Sequence, residues 1–110
     1  MKKTRPRSTA RLPTPSIEWS SRSLRDLEAI EQFIAQDDPV AANRWVLKLI
    51  ATAERAAKLP TAGRIVPEKQ RNDIREVRLR TYRIVYAVHE RGINVLTVFE
   101  GHKLLADEEQ

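Results

Sequence analysis

A chain of 110 residues that is 41% hydrophobic and 32% charged is sized for one α+β or similar domain with a single modest core. It has no cysteine and only two histidines, His89 and His102, which argues against disulfides, a thiolate zinc site, a cysteine nucleophile or a histidine-based metal centre. No cofactor or metal is expected. The longest apolar runs, such as 93–99, fall far short of the ~20 residues that span a bilayer. No apolar stretch follows the basic N-terminus as a secretory signal requires, so a cytoplasmic protein without membrane association is expected.

The net charge of +5 is carried by the N-terminus, where Lys2, Lys3, Arg5, Arg7 and Arg11 face no acid. The rest of the chain balances fifteen bases against fifteen acids. With Pro6, Pro13 and Pro15 and little to bury, residues 1–15 read as a disordered basic arm. The body spans residues 16–105, and residues 106–110 form an acidic tail. Within the body, acids dominate from Glu18 to Asp38 and bases from Lys58 to Arg83. That polarity suits an anionic partner on the second half.

Ser16-Ile17-Glu18-Trp19 alternates polar and apolar residues and predicts a short first strand. Ser20, Ser21 and Ser23 then compete as helix N-caps, and Ser23 with Asp26 has the spacing of a capping box. Leu24, Leu27, Ile30 and Ile34 predict the buried stripe of a helix ending near Gln36. Asp38-Pro39 restarts the chain, with Asp38 as N-cap and Pro39 at the first helical position. Ala42, Trp45, Leu49, Ala53 and Ala56 give the second helix its apolar face, and Pro60 ends it. So short a joint makes the two helices an antiparallel hairpin.

The period then changes. A loop is expected over 61–72, with a short strand possible at Ile65-Val66. From Ile74 to Leu79, Arg75, Val77 and Leu79 share one strand face, and Glu76 and Arg78 the other. Residues 82–89 are rich in β-branched and aromatic side chains that suit a sheet. Arg91-Gly92 makes a turn, and 93–99 is apolar on both faces, as a central strand covered by helices would be. The order β-α-α-β-β-β predicts an α+β fold with the helical hairpin packed across a three-stranded antiparallel meander.

Arg75, Arg78, Arg80 and Arg83 cluster within nine positions, and guanidinium groups offer donor forks to phosphates. Arg78 and Arg80 suit a solvated face. Arg75 and Arg83 share faces with apolar residues, so each must be either ion-paired or used functionally. His102 and Lys103 follow the last strand, where a general acid or base and a phosphate contact would have room. On the residues alone, an exposed, fraying end is the simpler explanation of them. Tyr82 and Tyr86 lie on one strand face, as base-stacking or core residues. No phosphate-binding glycine loop or nucleophile elbow occurs.

Taken together, Trp19-Ser20…Leu24…Asp26-Leu27…Ile30, Asp38-Pro39…Ala41-Ala42, Leu59-Pro60…Gly63-Arg64, Arg75-Glu76-Val77, Tyr82-Arg83-Ile84-Val85-Tyr86 and Val95-Leu96-Thr97-Val98…Gly101 resemble the RelE/ParE superfamily of toxins. The resemblance covers Ser16 to Leu105. It implies a toxin of a type II toxin-antitoxin system of the plasmid-stabilisation kind, with a cognate antitoxin bound at the sheet edge and helical hairpin.

The superfamily divides by target. ParE-like members poison DNA gyrase, and RelE-like members are endoribonucleases that cut messenger RNA on the ribosome. By spacing from Tyr82-Arg83…Tyr86, Arg83 is similar to the RelE arginine that stabilises phosphate charge. Arg75 falls near an active-site lysine of RelE, and Lys103 near its late arginine. His102-Lys103 is similar to the late Gly-Ser-His of YafQ-type ribonucleases, displaced by one position. Val77 stands where RelE-type enzymes carry a second lysine, and no tyrosine follows Lys103, which favours the gyrase target. A third alternative is a nucleic-acid-binding module without toxicity, working through the basic arm.

Overall fold

The computed structural model describes residues 15–101. The arm up to residue 14, the acidic tail, His102 and Lys103 lie outside the described residues. Strand β1 (Ser16–Trp19), helices α1 (Ser21–Ala35) and α2 (Pro39–Lys58), and strands β2 (Arg64–Ile65), β3 (Ile74–Leu79), β4 (Tyr82–His89) and β5 (Gly92–Glu100) follow in that order. The sheet order is β1-β5-β4-β3-β2. Strands β3, β4 and β5 form the expected antiparallel meander. The two-residue β2 pairs antiparallel with the start of β3, one position earlier than expected.

β1 runs parallel to β5, with Ser16 opposite Gly92 and Trp19 opposite Val95. The helical hairpin carries the chain from β1 across the sheet to the meander that ends in β5, the long connection that a parallel pair requires. Gly92 is required at this junction: a Cβ there would sit 1.9 Å from the Ser16 carbonyl oxygen.

Of the three serines that compete to start α1, Ser20 is the N-cap, and its hydroxyl oxygen accepts from the Ser23 N–H at 2.9 Å. Ser23 is buried, with its own hydroxyl donated to the Ser20 carbonyl at 2.8 Å. The inward stripe is therefore Ser23 and Leu27, buried, with Ile30 and Ile34 half-buried, and Leu24 turns outward. Asp26 does not complete a capping box; it serves the sheet. β1 ends opposite Val95, so the outer edge of β5 beyond that point lacks a strand partner. The Ser20 hydroxyl donates to the Leu96 carbonyl, and Asp26 Oδ2 accepts from the Thr97 hydroxyl at 2.6 Å and the Val98 N–H at 3.0 Å. These bonds satisfy edge groups that would otherwise be lost to burial.

α2 begins as expected, with the Asp38 carboxylate accepting from the Ala41 N–H and Pro39 in the first turn. It ends at Lys58, followed by a single 3₁₀ turn at Pro60–Ala62. Both helices pack on one face of the sheet, over Ile84, Tyr86, Ile93, Val95 and Val98. A β-bulge between Val85 and Tyr86 leaves Leu96 as the extra residue of β5. The bulge turns both Val95 and Val98 toward the helices and sends Leu96 to the other side. Residues 93–99 are thus apolar on both faces because β5 is central. On the helix-free face a smaller cluster of Val66, Ile74, Val85 and Phe99 is closed by the loop that follows β2.

Candidate functional site

Arg83, the arginine that the resemblance assigns to phosphate chemistry, projects onto the helix-free face. It is only 3% exposed. Its Nε donates to Glu76 Oε1 at 2.6 Å, and its Nη1 and Nη2 reach the two oxygens of Glu68 at 3.0 and 3.2 Å. Its guanidinium also lies 5.1 Å from the centre of the Phe99 ring. Burial alone would lower its pKa, but the hydrogen bonds and charges of Glu68 and Glu76 outweigh that and hold it above the ordinary value. Glu76 is 1% exposed and also takes Arg64 and Arg78 at 3.5 and 3.4 Å. The result is a buried network in which two carboxylates neutralise the guanidinium and tie the 66–73 loop to the sheet.

Sequence reasoning placed Glu76 on a solvated face, and the signal that would have moved it was available. A two-residue turn at Arg80-Thr81 fixes the register, with Arg78 opposite Arg83 and Glu76 opposite Val85. Like charges directly opposite one another are unfavourable. Glu76, one diagonal step from Arg83, is the group that relieves them. Glu68 carried no such signal, because its reach depends on how the loop folds.

Arg75 lies on the opposite side of β3 and reaches the loop after α2. It donates to the carbonyls of Asn72, Thr61 and Gly63 at 2.9–3.1 Å. Beside it, the Tyr86 phenol is fully buried and donates to the Pro60 carbonyl at 2.7 Å. Burial raises the Tyr86 pKa, against the lowering influence of Arg75 and a hydrogen bond with Gly63. Gly63 is obligatory here, since a Cβ would stand 2.0 Å from the phenol oxygen. Arg75 and Tyr86 together clamp the turn that carries the chain from α2 into the sheet. Tyr86 is a core residue, and Tyr82 packs against Trp45 of α2, with ring centres 6.0 Å apart.

Arg75 and Arg83 therefore stand on opposite faces of the sheet and do not converge on one point. A second feature adjoins the Arg83 site through Phe99. Between α1 and the ends of β4 and β5 is a groove of about 470 Å³, lined by Ala29, Ile30, Phe33, Tyr82, Val98 and Phe99 with Asp26 and Glu100. Phe33 on its rim is 68% exposed.

Residues 17–105 match the family described as the ParE toxin of the type II toxin-antitoxin system parDE. The chain belongs to this family. The toxin is 35% identical to Y4kP of Sinorhizobium fredii, a protein named as a toxin, over 79% of this chain and 88% of that one. It is 41% identical to toxin RelE2 of Caulobacter vibrioides over 44% of this chain and 56% of the relative. Its fold is similar to that of a chain from the chromosomal ParDE toxin-antitoxin system of P. aeruginosa. That match has a TM-score of 0.65 and 18% identity, and covers 79% of this chain and 96% of the other. The expected RelE/ParE membership and α+β architecture hold, and an antitoxin is the partner that a type II toxin implies. Among the described residues, no helix is long and apolar enough to cross a membrane.

Proposed function

We propose that this toxin acts in the cytoplasm by binding DNA gyrase, not by cutting messenger RNA. The observation that carries the reading is the state of Arg83. A ribonuclease of this superfamily would use Arg83 and Lys103 to stabilise charge on the scissile phosphate, His102 to move the proton, and Arg75 as a further cation at the site. Catalytic cations must be aimed at the place where charge develops. Here the Arg83 donors are held by Glu68 and Glu76 at 2.6–3.2 Å, and Arg75 is engaged on the other side of the sheet. An incoming phosphate would have to displace two carboxylates while meeting their repulsion. A toxin that acts by protein–protein contact makes no such demand.

The same reading gives the antitoxin the groove beside α1. An apolar floor and the exposed Phe33 ring suit the anchoring side chains of an amphipathic segment. Beyond Val98, where the Asp26 cap ends, the last residues of β5 lie beside it.

The test is to measure supercoiling by purified gyrase and ribosome-dependent messenger cleavage side by side, with wild type and His102→Ala. Losing a positioned acid or base costs roughly 10²–10⁴-fold in rate. The expected outcome is that supercoiling is inhibited equally by both proteins, with no messenger cleavage. Cleavage by the wild type that vanishes in His102→Ala, with supercoiling untouched, would establish the enzyme instead.

A further inference from the structure

The cations on the outer side of α2 serve neither the Arg83 network nor the groove. Arg44, Lys48 and Arg55 are all exposed. At about 100° per residue they fall within an arc of about 40° and span about 16 Å along the helix. Among the described residues no carboxylate pairs with them. Arg55 contacts only the Thr52 hydroxyl, and Lys48 lies over the Trp45 ring at 5.6 Å. Glu54, the one acid of α2, lies on the other flank of the helix, near Ile17 of β1.

A fourth cation is brought to this row at a conformational cost. Arg80 opens the two-residue β3–β4 turn with φ 57°, in the left-handed region. Hairpin turns this short favour glycine or asparagine there, because a side chain is strained in that conformation. The chain nevertheless places an arginine at this point, and its guanidinium lies 5.9 Å from the centre of the same Trp45 ring. Trp45 therefore has two cations, Lys48 and Arg80, against its ring. A residue kept in a sparsely populated backbone region is a reason to look for a function.

We propose that Arg44, Lys48 and Arg55 of α2, with Arg80 of the β3–β4 turn, form a contact ridge for the phosphate backbone of a nucleic-acid duplex. The composition of the row selects this partner over an acidic protein. Protein interfaces have an apolar core and are depleted in lysine, whereas the arc itself holds only cations, with the exposed Val40 and Leu47 on its flank. Nucleic-acid interfaces are polar and positive and need no apolar anchor. A straight row of about 16 Å runs alongside about five base-pair steps, at ~3.4 Å of rise each. The ridge is separate from the groove by α1, and its existence does not depend on which target the toxin has.

The test uses the full chain and labelled DNA and RNA duplexes, with affinity measured across a salt series. The arm carries five bases of its own, so it is varied separately by replacing Lys2, Lys3, Arg5, Arg7 and Arg11 with serine. Each phosphate contact contributes ~0.9 to the slope of log affinity against log salt on DNA. Replacing Arg44, Lys48 and Arg55 by alanine and Arg80 by glycine should make that slope shallower by about 3 to 4, in the wild-type and the arm-variant background alike. Arg80→Gly alone should weaken binding while leaving the melting temperature equal to or above that of the wild type, because it relieves the turn. Ridge variants that bind both duplexes like the wild type would overturn the proposal, as would polyglutamate being bound through the ridge when neither duplex is. A lowered melting temperature in Arg80→Gly would mark Arg80 as structural and overturn its part in the ridge.

Discussion

The two faces of the sheet are stabilised by different chemistry. Against the helices, Leu49, Ala53, Ile84, Tyr86, Ile93 and Val95 form an almost wholly apolar core with one phenol hydroxyl, and that hydroxyl is hydrogen-bonded. The helix-free face combines a small apolar cluster with Arg83, Glu76 and Glu68. Apolar contact is non-directional and tolerates exchange among side chains of similar volume. A buried ion pair is not tolerant in this way: its net gain is small, yet losing one partner leaves an uncompensated charge. The comparison explains how an arginine in a family position linked to phosphate can serve the fold.

Single deletions on the two faces should sharpen this contrast. Glu76→Ala is expected to destabilise the toxin by about 2–4 kcal/mol, because it takes the more buried of two carboxylates from Arg83 and leaves Glu68 alone to neutralise it. The helix-side counterpart, Leu49→Ala, should cost about 2–5 kcal/mol through lost contact and a cavity. Both are large against a total stability of roughly 5–15 kcal/mol for such a domain. Chemical denaturation measures each. A loss below about 1 kcal/mol for Glu76→Ala would mean that the network does not hold Arg83 as described.

Asp26→Ala should have a smaller effect, about 2–3 kcal/mol, since it removes one charged acceptor from two donors on the edge of β5. Amide hydrogen exchange would locate the damage. Faster exchange is expected at Val98, and an unchanged Val98 amide would contradict the edge-capping role.

Tyr86→Phe should have the smallest effect, about 1 kcal/mol at neutral pH. Here the direction with pH is also fixed. The folded pKa of Tyr86 is raised above its ordinary 10.0, so the protonated phenol favours the fold and ionisation favours the unfolded chain. Its stabilisation is complete below about pH 10 and is lost as pH rises from there through the folded pKa. The advantage of the wild type over Tyr86→Phe should shrink along an alkaline denaturation series. A constant difference would mean that the phenol is not buried in the neutral form.

The helix-side architecture was largely legible because it rests on period. The Asp38-Pro39 cap, the α2 face and the alternation in the strands are local patterns. The misreadings arose where a distant element decided a local choice. Leu24 completed a plausible apolar stripe, but the Ser20 cap and the bonds from Asp26 to β5 set the helix phase so that Ser23 is buried. The parallel pairing of β1 with β5 joins residues some seventy-six apart and leaves no local trace. Arg83 was recognised as a residue that must be paired or used. Its partners depended on cross-strand register and loop conformation.

The central claim is that Arg83 serves the fold, neutralised in place, and takes no part in chemistry on a phosphate. Replacing Arg83 and Glu76 together with apolar residues of similar size removes the fully buried charge pair, an exchange that is often neutral or stabilising, and the Glu68 side chain that loses Arg83 is 21% exposed. The decisive measurement is growth inhibition by an Arg83→Met/Glu76→Leu toxin whose folding has been verified by its denaturation midpoint. Toxicity close to that of the wild type is the predicted result, and loss of toxicity in the folded double variant would contradict the account.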